Sequence, residues 1–133
     1  MGHGYRELIV WQRAMTLAEG VYRLTRDYPR DEQFGLTSQT RRAAASIAAN
    51  IAEGHGRGTR AAYASFLRIA RGSLREVETH LLLAQRVGLA NREAIGPLLA
   101  LADEIGRMLH TLIRKLGDAP PSSPIPLLPD SAT

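Results

Sequence analysis

Five arginines, Arg60, Arg68, Arg71, Arg75 and Arg86, recur at intervals that bring them onto one stripe of an α-helix, with Ala64 and Leu82 filling the gaps. A guanidinium is charged at any physiological pH and offers forked donors that match phosphate oxygens. A ridge of this kind is suited to tracking a phosphate backbone. At a rise of about 1.5 Å per residue, Arg68 to Arg75 spans roughly one to two turns. The same ridge can instead be a solvated face, or bridge subunits through Glu76, Glu78 or Glu104. Of the chain's 17 Lys and Arg and 13 Asp and Glu, seven arginines and one acid, Glu53, fall between Arg41 and Arg75. The formal net charge of +4 therefore conceals a basic segment in an otherwise slightly acidic chain. A field of one sign faces an anion, most often nucleic acid. Aromatics for base stacking are few, and Trp11, Phe34 and Phe66 are expected on or near core surfaces. Binding would then be electrostatic and poorly sequence-specific.

A second constellation precedes the ridge. Arg42, Ser46, Asn50 and Glu53 recur at i, i+4, i+8 and i+11, a polar stripe beside an alanine-rich face. It reads as a hydrogen-bond network that fixes helix register, reaching Ser73 and Glu76 on the next helix, or as a polar site facing a partner. Asn50 both donates and accepts, and Glu53 is placed to pair with an arginine. The run Gly54-His55-Gly56-Arg57-Gly58 precedes a helix N-terminus as a phosphate cradle would. It has no P-loop lysine and no preceding strand, so it reads as loop chemistry. His3, His55, His80 and His110 show no metal-ligand spacing. Glu76 and His80, at i and i+4, lack the paired Glu-x-x-His motifs of a di-iron bundle. No nucleophile elbow or Ser-His-Asp pattern is present. No metal, cofactor or enzymatic activity is expected. The chain contains no cysteine, which excludes disulfides and thiol chemistry.

The elements that must position these residues are helical, since no segment alternates like a strand. The first helix is predicted from about Glu7 to Asp27, with one stripe of Val10, Ala14, Leu17, Val21 and Leu24 and a second of Leu8, Trp11, Met15, Ala18 and Tyr22. The second, about Leu36 to Glu53, carries small residues around Ile47 and Ile51, which let a neighbour approach closely. The third starts after a Thr59 N-cap and reaches about Val87. Its seam of Tyr63, Leu67, Ala70, Leu74, Val77, Leu81 and Ala84 alternates spacings of four and three. Phe66, Ile69, Leu83 and Val87 make a less complete second stripe. The fourth follows Gly88 and an Asn91 cap, with a seam of Leu98, Ala102, Ile105, Leu109, Leu112 and Leu116, and ends at Gly117. Gly20, Gly72 and Gly106 lie inside these helices, and close helix crossing is expected above all at Gly72, beside Ser73.

Short connections predict an all-α, up-down-up-down antiparallel four-helix bundle over residues 1–117, followed by a Pro-rich, extended or disordered tail at 118–133. The first and third helices show more apolar surface than one seam needs, which predicts a homo-oligomer. No apolar run is long enough to span a membrane. The polar segment Met1 to Glu7 lacks the apolar core of a secretory signal, so a cytoplasmic location is expected.

Several motifs together resemble one bacterial family. They are Tyr5-Arg6-Glu7-Leu8-Ile9-Val10-Trp11-Gln12, Tyr28-Pro29 with Glu32, and Phe34-Gly35-Leu36-Thr37-Ser38-Gln39. The most specific are Arg42-Ala43 with Ser46-Ile47-Ala48-Ala49-Asn50-Ile51-Ala52-Glu53-Gly54, and Phe66-Leu67-Arg68-Ile69-Ala70-Arg71-Gly72-Ser73-Leu74. In these the chain resembles the 23S rRNA-intervening-sequence proteins from about Tyr5 to Gly117. It departs from their pattern at Ala48, where a proline often follows Ser-Ile. The resemblance implies a homopentameric ring of four-helix bundles. It extends to the accessory variability protein of diversity-generating retroelements, which partners a reverse transcriptase and binds nucleic acid. Two readings follow. One is an accessory factor that binds RNA or DNA. The other is a structural or adaptor oligomer that engages a protein partner, such as a reverse transcriptase, and no nucleic acid.

Overall fold

A computed structural model of the protein describes residues 4–117 and 125. Four long helices, α1 (Ile9–Thr25), α2 (Ser38–Gly56), α3 (Arg60–Arg86) and α4 (Arg92–Gly117), pack around one core, and there is no strand among the described residues. The expected tail at 118–133 lies outside the described residues except for Ile125, which packs against the edge of the core.

The helix boundaries follow from local chemistry. The Thr59 hydroxyl accepts from the Ala62 amide at 3.2 Å, and the Asn91 side-chain oxygen accepts from the Ala94 amide at 2.9 Å. Each satisfies an amide that the first helical turn leaves without a partner. The first helix is shorter than its periodicity suggests, because Tyr5–Glu7 forms a separate 3-10 turn and Tyr5 packs edge-on against Trp11. The second begins at Ser38 rather than Leu36. A π-helical turn, Gln33–Thr37, precedes it, with non-helical backbone at Gly35 and the Glu32 carboxylate accepting from the Leu36 amide at 3.1 Å. The second helix also runs on past Glu53 to Gly56. The left-handed turn falls at Gly58, with φ of 85°, while Gly54 stays helical and buried.

The apolar stripes form the core. Val10, Ala14, Leu17 and Val21 are buried on α1, and the entire predicted α3 seam is buried. On α4, Ala102, Ile105, Leu109 and Leu116 are buried, with Ile95 and Ile113 beside them. Leu98 and Leu112 are half-buried. The second stripes separate: Leu8, Trp11 and Ala18 pack on the core edge, whereas Met15, Tyr22, Ile69, Leu83 and Val87 face solvent. Phe34 is 87% exposed, contrary to its expected place near the core, because the π-helical turn projects it outward.

Glycines mark where helices meet. A Cβ at Gly54 would lie 2.6 Å from Phe66 Cβ and 3.3 Å from the Tyr63 carbonyl oxygen, atoms that cannot move without shifting α3. A Cβ at Gly20 would lie 2.5 Å from Leu98 Cδ2, and one at Gly106 would lie 3.4 Å from Leu74 Cδ2. Gly72 departs from expectation: a Cβ there meets no neighbouring helix within 4 Å.

Between α2 and α3 the Ser46 and Ser73 hydroxyls hydrogen-bond at 2.8 Å. Asn50 Nδ2 donates to the Ser46 carbonyl at 2.8 Å and to its hydroxyl at 2.9 Å. Since Ser46 meets Ser73 while Gly54 meets Tyr63, these two helices run in opposite directions. The same holds for α1 and α4, where Gly20 meets Leu98 and Arg13 pairs with Glu104 at 3.0 Å. The polar network consists of Ser46, Asn50 and Ser73. Arg42 is exposed, Glu53 turns along its own helix to Arg57 at 2.8 Å, and Glu76 faces solvent, so these three stand outside it.

Two outcomes follow from the packing. Gly54→Ala is expected to cost about 1–3 kcal/mol in denaturant unfolding, as overpacking does when the neighbour is backbone. Unchanged stability would contradict the close α2–α3 contact. Tyr28 is buried, and its hydroxyl has no hydrogen-bond partner among the described residues. Burial, then the nearby Glu32 charge, raises its pKa above the ordinary 10.0. Below about pH 10 the phenol is protonated in both states. Above that the unfolded chain loses its proton first, so stability falls as pH rises toward the folded-state value. Tyr28→Phe should therefore lessen the loss of stability between pH 9 and 11 and leave neutral-pH stability nearly unchanged. An identical alkaline loss in the variant would contradict this.

Candidate nucleic-acid interface

The α3 ridge does not stand alone. Arg68, Arg71, Gly72 and Arg75 form one wall of a groove of about 700 Å³ between α3 and α4. Asp103, Gly106, Arg107, His110 and Thr111 of α4 form the other wall. The groove exists because the buried seams of the two helices hold them side by side while their outward residues diverge. A Cβ at Gly106 would make ordinary contact with α3, 3.4 Å from Leu74 and 3.7 Å from the Arg75 guanidinium.

Four guanidinium groups and one imidazole thus face a single recess that contains one carboxylate. Arg75 Nη1 donates to Glu78 at 2.8 Å, and Arg107 is ion-paired with Asp103, each along its own helix. Both guanidinium groups are exposed, although Glu78 is half-buried, and surface pairs contribute at most about 1 kcal/mol each. An incoming phosphate can compete for such arginines at little cost. Arg68 and Arg71 make no ion pair with the described residues, so their charge is uncompensated locally.

The ridge read from the sequence divides at this point. Arg68, Arg71 and Arg75 line the groove, whereas Arg60 and Arg86, the first and last residues of α3, do not. From sequence, Arg107 is not singled out and His110 is weighed only as a metal ligand. Their i, i+3 spacing on the fourth helix was the available signal, but only the packing of α4 on α3 turns that pair toward the ridge.

Other basic residues of the Arg41–Arg75 segment have different roles. Arg41 Nε donates to the buried Thr25 hydroxyl at 2.7 Å, and its guanidinium lies 4.6 Å from the Tyr22 ring centroid. It fastens α2 to α1. Arg57 pairs with Glu53 and covers the Phe66 ring at 5.1 Å, closing the α2–α3 turn. Among the described residues, no group of three or more His, Asp or Glu is gathered as a metal site, and no helix is long and apolar enough to cross a membrane.

Comparison with known proteins agrees with the fold. A solved structure from Bacteroides thetaiotaomicron, a protein of unknown function from the S23 ribosomal protein family, is similar with a TM-score of 0.72 and 26% identity. The similarity covers 80% of this chain and 99% of that one. No curated protein matches significantly. Residues 6–111, which hold both walls of the groove, match the family model for the 23S rRNA-intervening sequence protein, and the chain belongs to that family.

Proposed function

We propose that this protein is a non-enzymatic, oligomeric accessory factor that binds the phosphate backbone of RNA or DNA through the α3–α4 groove. The observation that carries this reading is the convergence of Arg68, Arg71, Arg75 and Arg107 on one recess, with two of the four lacking carboxylate partners among the described residues. Arginine clusters of this density attract phosphate and release its counterions, a gain that is electrostatic and independent of sequence. Arg60 and Arg86 extend the positive field to the two ends of α3 and contribute to steering. The protein works in the cytoplasm as an up-down-up-down bundle, repeated in a pentameric ring as the family resemblance implies. The repeat would multiply a modest single-groove affinity through effective concentration.

The exposed Phe34, Ile69, Leu82, Leu83 and Val87 favour a second reading. In it the ring is an adaptor that docks a protein partner, such as a reverse transcriptase, on apolar surface and binds no nucleic acid.

Fluorescence anisotropy with labelled RNA and DNA oligonucleotides across a salt series separates the two. In the first reading log K falls linearly with log salt, by about 0.7–0.9 per phosphate contact. The Arg68→Ala/Arg71→Ala double variant should bind at least tenfold more weakly, with the slope reduced by about 1 for each lost contact. Arg23→Ala, a charge removed from α1, should change neither. Absence of binding by the wild-type protein at low salt would overturn the nucleic-acid reading.

A further inference from the structure

Gly72 is unexplained by the chain's own packing. It lies in the middle of the 27-residue α3, at an exposed position with ordinary helical backbone. Glycine is the poorest helix former apart from proline, because it loses the most backbone freedom on folding. At Gly20 and Gly54 a neighbouring side chain accounts for the missing Cβ, whereas at Gly72 a Cβ would meet no neighbouring helix within 4 Å. Gly56, Gly96 and Gly117 are also helical with open space at the Cβ position, but of these positions Gly72 alone lines the arginine groove.

The surroundings identify the chemistry. Gly72 is four residues after Arg68 and three before Arg75, so it occupies the middle of the arginine row, with Arg71 beside it and Arg107 on the opposite wall. A side chain at this position would enter the groove that these arginines line. We propose that Gly72 is the floor of the phosphate site: a short run of phosphodiesters lies along the row and presses against the bare α3 backbone there. The seven residues from Arg68 to Arg75 advance about 10 Å, room for more than one consecutive phosphate of a strand. Gly72 thus sets how deeply the strand enters the groove, and Arg68, Arg71, Arg75 and Arg107 hold it there. This inference rests on the nucleic-acid reading above and adds to it a depth-determining residue.

The test uses the full-length protein with Gly72→Ala and Gly72→Leu. Alanine and leucine are better helix formers and meet no neighbouring helix at the Cβ position, so both variants should melt at or above the wild-type temperature. Light scattering should show an unchanged oligomer. Affinity for an oligonucleotide should fall about threefold for alanine and tenfold or more for leucine, with a shallower salt slope for leucine. A single-stranded and a duplex probe are run in parallel, and the one that loses affinity is the source of the phosphodiester run. Wild-type affinity and slope in Gly72→Leu for both probes would overturn the inference. So would a change of oligomer size, which would place Gly72 at a subunit contact. If the Arg68→Ala/Arg71→Ala variant loses binding while Gly72→Leu keeps it, this inference alone fails. If the wild-type protein binds neither probe at low salt, the underlying reading fails with it.

Discussion

The close approach of α2 to α3 is the constraint on which the rest depends. Alanines on α2, a glycine at position 54 and the Ser46–Ser73 hydrogen bond bring the two helices together. That contact is specific in a way that apolar burial alone is not. A hydrogen bond between partly buried hydroxyls and a backbone approach that excludes even a methyl group define one register, whereas an alanine face tolerates sliding. With α3 fixed in rotation, its Tyr63–Ala84 seam points inward and its arginine row is left on the side that meets α4.

The groove is a consequence of two faces of the same helix being used at once. Leu74 and Val77 are buried, Ser73 bonds to α2, and Arg71 and Arg75 open toward α4. Arg68 and Arg71 keep their charge free because the recess holds one acid, Asp103, which pairs with Arg107 on its own helix as Glu78 pairs with Arg75. The charge stays near the surface, where placing it carries little desolvation penalty and where it remains available to an anion.

What the sequence made legible was what local periodicity and capping control. The α3 seam, the Thr59 and Asn91 caps and most of the α1 and α4 core positions follow from spacing, because burial on one face repeats every three to four residues. Properties set by tertiary placement were not legible. Arg41 rather than Arg42 reaches the neighbouring helix, a choice between adjacent residues about 100° apart on the helix that depends on the orientation of α2. Phe34 is expected on or near a core surface, whereas the π-helical turn directs it to solvent. The small Ser73 beside Gly72 predicts a helix crossing there, whereas the close approaches fall at Gly20 and Gly54. The arginine row was visible from spacing, but its second wall at Arg107 and His110 required the packing of α4.

The central claim, that the α3–α4 groove is the surface that meets phosphate, is tested most directly by photo-crosslinking a thiouridine-substituted RNA, and its thiothymidine DNA counterpart, to the intact protein and mapping the modified peptides by mass spectrometry. The account predicts crosslinks concentrated in α3 around Arg68–Arg75 and in α4 around Arg107–Thr111, lost as salt is raised. Crosslinks confined to α1 and α2, or retained at high salt on the exposed apolar residues, would contradict it.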